Sequence, residues 1–308
     1  MQTKPKIVFF GNERLATGVT TTAPTLCALI DAGYDVVAIV SHHQQASSRT
    51  ARQLEIAEVA AQHNIPLLLP QNPADILDQL ADYGAQVAVL VAYGKIVPQS
   101  VIDIFAKGII NIHPSALPLH RGPTPIESVM LSGDTTTAVS VMQLVKAMDA
   151  GPVYCQKEVA LTGTETKQQL ADKLLAIGSE LILQVLPQVL DGSATGTPQN
   201  DTDATFDKLI TKQDGLLDWQ KPATQLEREI RAYSEWPKSY TKFKDLDVVI
   251  TNAHVIEQND KPGRIVATNK ELIIYCGKGA LVIDKLKPAG KPQMDVASFL
   301  NGRANLFN

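Results

Sequence analysis

Three cysteines in 308 residues, Cys27, Cys155 and Cys276, are too few and too widely spaced for a disulfide framework or a paired metal-ligand motif. Free core thiols in a reducing compartment are expected. The six histidines include the neighbours His42 and His43, but no acidic or cysteine partner lies nearby at ligand spacing, so no metal is expected and the pair reads as solvated loop residues. Long apolar runs are missing at the start: IVFF before Gly11 is too short for the apolar region of a signal peptide or for a membrane span. A cytoplasmic protein with no membrane partner is expected. The turn after that run, NERLATG, departs from G-x-G-x-x-G, which argues against NAD, and no glycine-rich phosphate cradle points to phosphoryl transfer. A net charge of −4 argues against a nucleic-acid coat.

That charge is unevenly placed. Residues 1–206 hold 12 basic against 19 acidic side chains, and residues 207–308 hold 16 against 13, so a mildly basic tail follows an acidic body. The length allows two domains, and 44% hydrophobic with 19% charged residues describes an ordinary globular chain. Buried-looking strands at 5–11, 34–41, 65–70 and 85–94 alternate with helices expected over 21–33, 52–63, 74–83 and 99–106. Thr21 or Thr22 is expected to cap the first of these helices and Gly33 to stop it. Such alternation implies an α/β fold with a doubly wound, mostly parallel sheet, Rossmann-like in form, whose ligands bind beyond the carboxyl ends of the strands.

The most informative stretch is INIHPSALPLHRGPTPIESVMLSGDTTTAVSVMQLVKAMDAG, from 109 to 151. Period-two alternation puts Asn111 and His113 on one face of a short buried strand. Asn donates to a developing oxyanion, neutral His accepts a proton near neutral pH, and Asp149 arrives after a second apolar strand to orient or charge-balance the imidazole. Acyl-type or carbonyl chemistry follows from such a set. A structural histidine at a strand end and an aspartate serving a turn before Ala-Gly are the plainer readings of the same residues.

An edge strand is expected over 152–161 and an amphipathic helix ending at Gly192. The run SATGTPQNDTDATF lacks apolar periodicity and reads as a linker, which gives expected domains at 1–191 and 207–308 with a linker at 192–206. Beyond it, a short helix carrying Arg228 and Arg231 and a Trp-Pro turn precede strands at 247–257, 263–268, 271–277 and 280–287, then a final helix. A small open β-barrel of oligonucleotide-binding (OB-like) type is expected, with a basic rim at Lys285, Lys287 and Lys291. Lysines on such a barrel suit RNA phosphates, and packing on the first domain is the alternative role.

In order, N-x-H-P-S-x-L-P-x-x-R-G-x-x-P, S-G-D, a V-x-x-M strand and M-D-x-G resemble the catalytic half of the 10-formyltetrahydrofolate-dependent formyltransferases. The resemblance runs from VFFGNE to the final helix and implies an enzyme with 10-formyltetrahydrofolate as formyl donor and no metal. It implies Asn111, His113 and Asp149 as catalytic residues and the turns Val91, Ala92, Tyr93, Gly94 and Ser115, Ala116, Leu117, Pro118 as contacts to the folate. Initiator methionyl-tRNA is the implied acceptor, formylated for translation initiation by a chain expected to be a monomer. An amino sugar nucleotide acceptor, or a non-catalytic RNA- or folate-binding protein of this fold, is the rival. Arg121 fits either an anion-steering role or one tying down its own loop. The loop at 41–53 departs from the pattern, since only Arg49 and Arg52 offer cations there to a tRNA acceptor end.

Overall fold

A computed structural model describes residues 5–42, 54–301, 303, 306 and 307. The chain packs into two compact units: Met1–Ile126 with Thr135–Leu161 and Gln168–Lys208, and Glu127–Asp134 with Thr162–Lys167 and Leu209–Asn308.

The first unit begins with β1 (Lys6–Gly11), α1 (Pro24–Asp31), β2 (Asp35–Val40), α2 (Glu55–Gln62) and β3 (Leu67–Leu68). A short 3-10 turn, Pro73–Ile76, leads into α3 (Leu77–Asp82), so the helix expected over 74–83 is split. Then come β4 (Val87–Val91), α4 (Gln99–Ile102), β5 (Ile109–His113), β6 (Thr136–Gln143), β7 (Val153–Ala160) and α6 (Lys167–Asp191), while α5 (Pro125–Ser132), between β5 and β6 in the chain, falls mostly in the second unit. The seven strands order as β3-β2-β1-β4-β5-β6-β7. Pairs up to β4–β5 are parallel, and β5–β6 and β6–β7 are antiparallel. The doubly wound, mostly parallel expectation therefore holds. Every residue of β4 and β5 is buried, as expected of strands covered on both faces.

The first helix is capped differently from expectation. Its N-cap residue, Ala23, makes no side-chain cap bond. Instead the Glu13 carboxylate, from the loop after β1, accepts the N–H groups of Thr25 at 2.9 Å and Leu26 at 2.8 Å. A threonine nearby in sequence looked like the cap because the true one comes from 12 positions upstream, where no local pattern signals it. In length and composition α6 suits a membrane span, yet half of its most apolar window is buried. A Cβ at Gly178 would meet Ile112 at 2.5 Å, so this helix lies against the sheet as a core element.

The second unit has α7 (Ala223–Ala232), β8 (Tyr240–Phe243), β9 (Leu246–Ile256), β10 (Ile265–Ala267), β11 (Leu272–Tyr275), β12 (Ala280–Pro288), β13 (Met294–Asp295) and α8 (Val296–Leu300). Its sheet runs β10-β11-β12-β9-β8, with every pair antiparallel and β13 added to β12, a curled sheet of the expected small-barrel kind. Leu226, Ile230, Val248, Ile274, Leu281 and Phe299 lie in its core. Strand β8 was not foreseen: four residues beside a Trp-Pro turn carry too little alternation to stand out.

Residues 192–206 do not behave as a free linker. Thr197 pairs with Val153, and Thr205 and Phe206 pair with the chain at 118–121, all inside the first unit. Polar segments held by backbone bonds leave no apolar period for a sequence reading to catch.

Close approach of β1 and β4 makes Gly11 obligatory. It sits at φ +136°, and a Cβ there would stand 1.8 Å from the Val91 carbonyl oxygen. Gly11→Ala is expected to cost at least ~2 kcal/mol of stability, from strain plus overpacking. Urea unfolding checks this; an unchanged midpoint would contradict so tight a contact.

Candidate active site

The carboxyl ends of β1, β4 and β5 open onto one cavity of about 430 Å³, a size suited to a small organic ligand. Asn111, His113 and Asp149 all line it, with Asn12, Arg14, His42, Ala92, Tyr93, Gly94 and Lys95. Leu15, Leu90, Ile96, Val97, Leu144 and Met148 supply apolar wall, and among the described lining residues there is no serine or cysteine.

Alternation along β5 aims Asn111 and His113 the same way, and both are only 5% exposed. No protein hydrogen bond reaches the Asn111 side-chain amide among the described residues, so its donors stay available to a ligand. His113 is more constrained. Its Nε2 lies 3.0 Å from the His120 carbonyl oxygen, which can only accept, so the proton of the neutral ring sits on Nε2. The basic lone pair is then on Nδ1, 3.8 Å from Asp149 Oδ1. The other Asp149 oxygen accepts the Gly122 N–H at 2.9 Å. This carboxylate is thus fixed beside the atom that would gain a proton.

Ala92 (φ 50°) and Asp149 (φ 48°), which line the cavity, and Glu13 (φ 56°) beside it are non-glycine residues with left-handed backbone. Each costs about 1 kcal/mol or more and persists only where its surroundings enforce it. Gly94 (φ +73°) turns the chain after β4 under the His42 ring, whose Cε1 would be 3.3 Å from an added Cβ. Tyr93 packs edge-on to Phe10 and His42; its hydroxyl has no partner among the described residues, and burial pushes its pKa up to about 12. Arg14 is clamped by Glu55 of α2.

Several expected contacts fall elsewhere. Ala92, Tyr93 and Gly94 line the cavity and Val91 lies just behind them, but Ser115, Ala116, Leu117 and Pro118 do not line it. Ser115 and Leu117 are buried: the Ser115 hydroxyl donates to the Leu119 carbonyl, and Ser140 Oγ bonds both the Ser115 carbonyl and the Leu117 N–H. This turn shapes the loop behind the site. Arg121, 3% exposed, bonds the side chains of Gln199 at 3.0 Å and Asp201 at 2.8 Å, in a distant segment and not carbonyls of its own loop. Arg49 and Arg52 lie outside the described residues. Lys285, Lys287 and Lys291 are exposed in the second unit, far in sequence from the cavity residues. No group of three or more His, Cys, Asp or Glu side chains fit to hold a metal occurs among the described residues. Sequence reasoning missed Asn12, Arg14, Lys95 and Gln199, because loop residues at separate strand ends share no spacing.

A strand-end cavity with a free amide, a tautomer-fixed imidazole and its carboxylate defines a group-transfer site on a doubly wound sheet. The chain belongs to the formyl transferase family, whose models match residues 6–186 (formyl transferase) and 209–304 (formyl transferase, C-terminal domain). It is 34% identical over 309 residues to the methionyl-tRNA formyltransferase of Pseudoalteromonas translucida (strain TAC 125), a match covering 97% of this chain and 94% of that protein. Among solved structures it resembles HypX from Aquifex aeolicus in complex with tetrahydrofolic acid, with TM-score 0.65, 16% identity and 97% of this chain covered. This chain spans about half of HypX, 47% of its length. It also resembles WlaRD, a sugar 3N-formyl transferase, with TM-score 0.68 and 13% identity, covering 95% of this chain and 100% of that one. At such identities the two structures speak to the fold alone.

Glu13, buried between Asn12 and Arg14 in the loop after β1, has its pKa raised by desolvation from 4.5 to about 7, against the opposing pull of the Leu26 and Thr25 N–H groups. A carboxyl raised in the folded state favours folding most below pH 4.5, and that advantage, about 3 kcal/mol, is lost as pH rises to about 7. Urea unfolding of the wild type and Glu13→Gln should show their stability difference falling through that window. A flat difference would place the carboxyl in solvent.

Proposed function

We propose that this chain transfers the formyl group of 10-formyltetrahydrofolate to the amino group of methionine on initiator methionyl-tRNA, in the cytoplasm and as a monomer. The observation that carries the reading is the trio in one cavity: Asn111 with free donors, His113 with its lone pair on Nδ1, and Asp149 at 3.8 Å. The near full-length likeness to a methionyl-tRNA formyltransferase supports the acceptor. The folate fits the cavity by chemistry: its apolar wall suits a flat ring, and the turned backbone at Ala92–Lys95 offers polar groups along the ring edge.

The methionine amine attacks the formyl carbon, forming a C–N bond as the carbonyl electrons move to oxygen. Asn111 donates to that oxyanion. His113 Nδ1 takes the proton released by the amine nitrogen, and Asp149 stabilises the resulting imidazolium. The same proton then passes to the departing folate nitrogen as its bond to the formyl carbon breaks. Formyl-methionyl-tRNA and tetrahydrofolate result, with no covalent enzyme intermediate, and holding both substrates in one geometry supplies much of the rate.

We assign residues 1–191 to catalysis and residues 207–308 to tRNA binding, with Lys285 and Lys287 at alternate positions of β12, and Lys291 just beyond it, presented to phosphates. Asn111→Ala is expected to lower turnover about 10²- to 10³-fold, and His113→Ala and Asp149→Asn to lower it with tRNA affinity retained. Formylation of purified methionyl-initiator tRNA measures this. Transfer only to an amino sugar nucleotide would overturn the acceptor, and tRNA binding without transfer to either would overturn the enzyme. Replacing the three lysines by alanine should weaken tRNA binding and flatten its salt dependence, by roughly 0.7 to 0.9 in log–log slope per lost phosphate contact; filter binding across salt concentrations reads it, and an unchanged slope removes them from the interface.

A further inference from the structure

Residues 187–208 fall between the two family matches, yet part of this stretch is bonded to both sides of the His113–Asp149 pair. On the aspartate side, Gln199 Nε2 donates to the carbonyl oxygens of Asp149 and Gly151, each at 2.7 Å. Its Oε1 accepts from Arg121 Nε at 3.0 Å, so every polar atom of that amide is engaged. On the histidine side, the His120 N–H donates to Thr205 Oγ1 at 2.8 Å, and its ring Nδ1 lies 3.1 Å from Asp207 Oδ1. The carbonyl of His120 is the group that holds His113 Nε2.

Asp149 needs this support. At φ 48° its backbone is in the left-handed region, which an aspartate leaves readily unless its peptide groups are tied. The chain just after it is pressed on β6, since a Cβ at Gly151 would come 1.8 Å from the Gln143 carbonyl oxygen. Two bonds from one amide, on either side of Ala150, fix the turn that aims the carboxylate.

We propose that the segment 197–208 is a positioning strap for the catalytic pair and that Gln199 is its key positioning residue, acting on the transfer only through Asp149. The inference rests on the function proposed above. Gln199→Leu keeps the side chain's size and loses all three bonds. Gln199→Glu keeps the acceptor for Arg121 and sets a carboxylate against the two carbonyl oxygens.

Both variants are expected to lower kcat about ten-fold or more, as a displacement of roughly 1 Å at a reacting pair does, with KM for folate and tRNA changed less than two-fold. Placed on Asp149→Asn, Gln199→Leu should add no further loss, because residues acting through one another are not additive. Losses that multiply in the double variant, or a wild-type kcat in Gln199→Leu, would overturn the proposal. Hydrogen exchange at the Gly122 amide, which donates to Asp149, decides it without substrate. Faster exchange there in Gln199→Leu, with strand amides unchanged, supports the strap even if the wild type proves inactive on methionyl-tRNA; unaltered exchange overturns it.

Discussion

One hydrogen bond orders this site: the Nε2 proton of His113 goes to the His120 carbonyl at 3.0 Å. A carbonyl accepts and never donates, so the bond fixes the tautomer and leaves the lone pair on Nδ1, toward Asp149. Everything nearby serves that arrangement. Strand β5 delivers Asn111 and His113 on one face, and the loop from Pro114 to Gly122 folds back so that His120 and the Gly122 N–H reach the imidazole and the carboxylate. The buried Ser115 and Leu117, tied to Ser140 of β6, give that loop a rigid base.

Strained backbone occurs at and beside the cavity. Glu13, Ala92 and Asp149 are held in left-handed conformations at the ends of β1 and β4 and after β6, each enforced by a specific partner or turn. Glu13 is bound to the start of α1 by two N–H groups, and its own N–H lies 3.3 Å from the Val91 carbonyl. The helix start and the cavity floor are thereby one structure. Local conformational cost of this kind is sustained by the closely packed sheet behind it, where Phe10, Tyr93 and Phe105 meet edge to face.

Much of this was legible in the chain itself. Alternating strand and helix patterns gave the sheet, and period two gave the shared face of Asn111 and His113, because both follow from local geometry that sequence records directly. The carboxylate was legible because Asp149 follows a clear strand and stands before Ala-Gly. Contacts between distant segments were not. Nothing near Thr25 announces Glu13, nothing in TPQN announces that Gln199 reaches the Asp149 turn, and Arg121 reads equally as an anion contact or a tie to its own loop until its partners at 199 and 201 are seen. The Ser115–Pro118 turn matched a family pattern, but its burial behind the cavity depends on Ser140 and Gln156 from neighbouring strands.

Direct transfer is the central claim of the proposed mechanism, with Asn111 and His113 assigned as oxyanion donor and base in a cavity whose described lining holds no serine or cysteine. A rapid-quench single turnover with formyl-labelled 10-formyltetrahydrofolate and methionyl-initiator tRNA tests it most directly. Label should pass from folate to the methionine amine with none trapped on protein at any time. Protein-bound label rising before the formylated tRNA would contradict the mechanism.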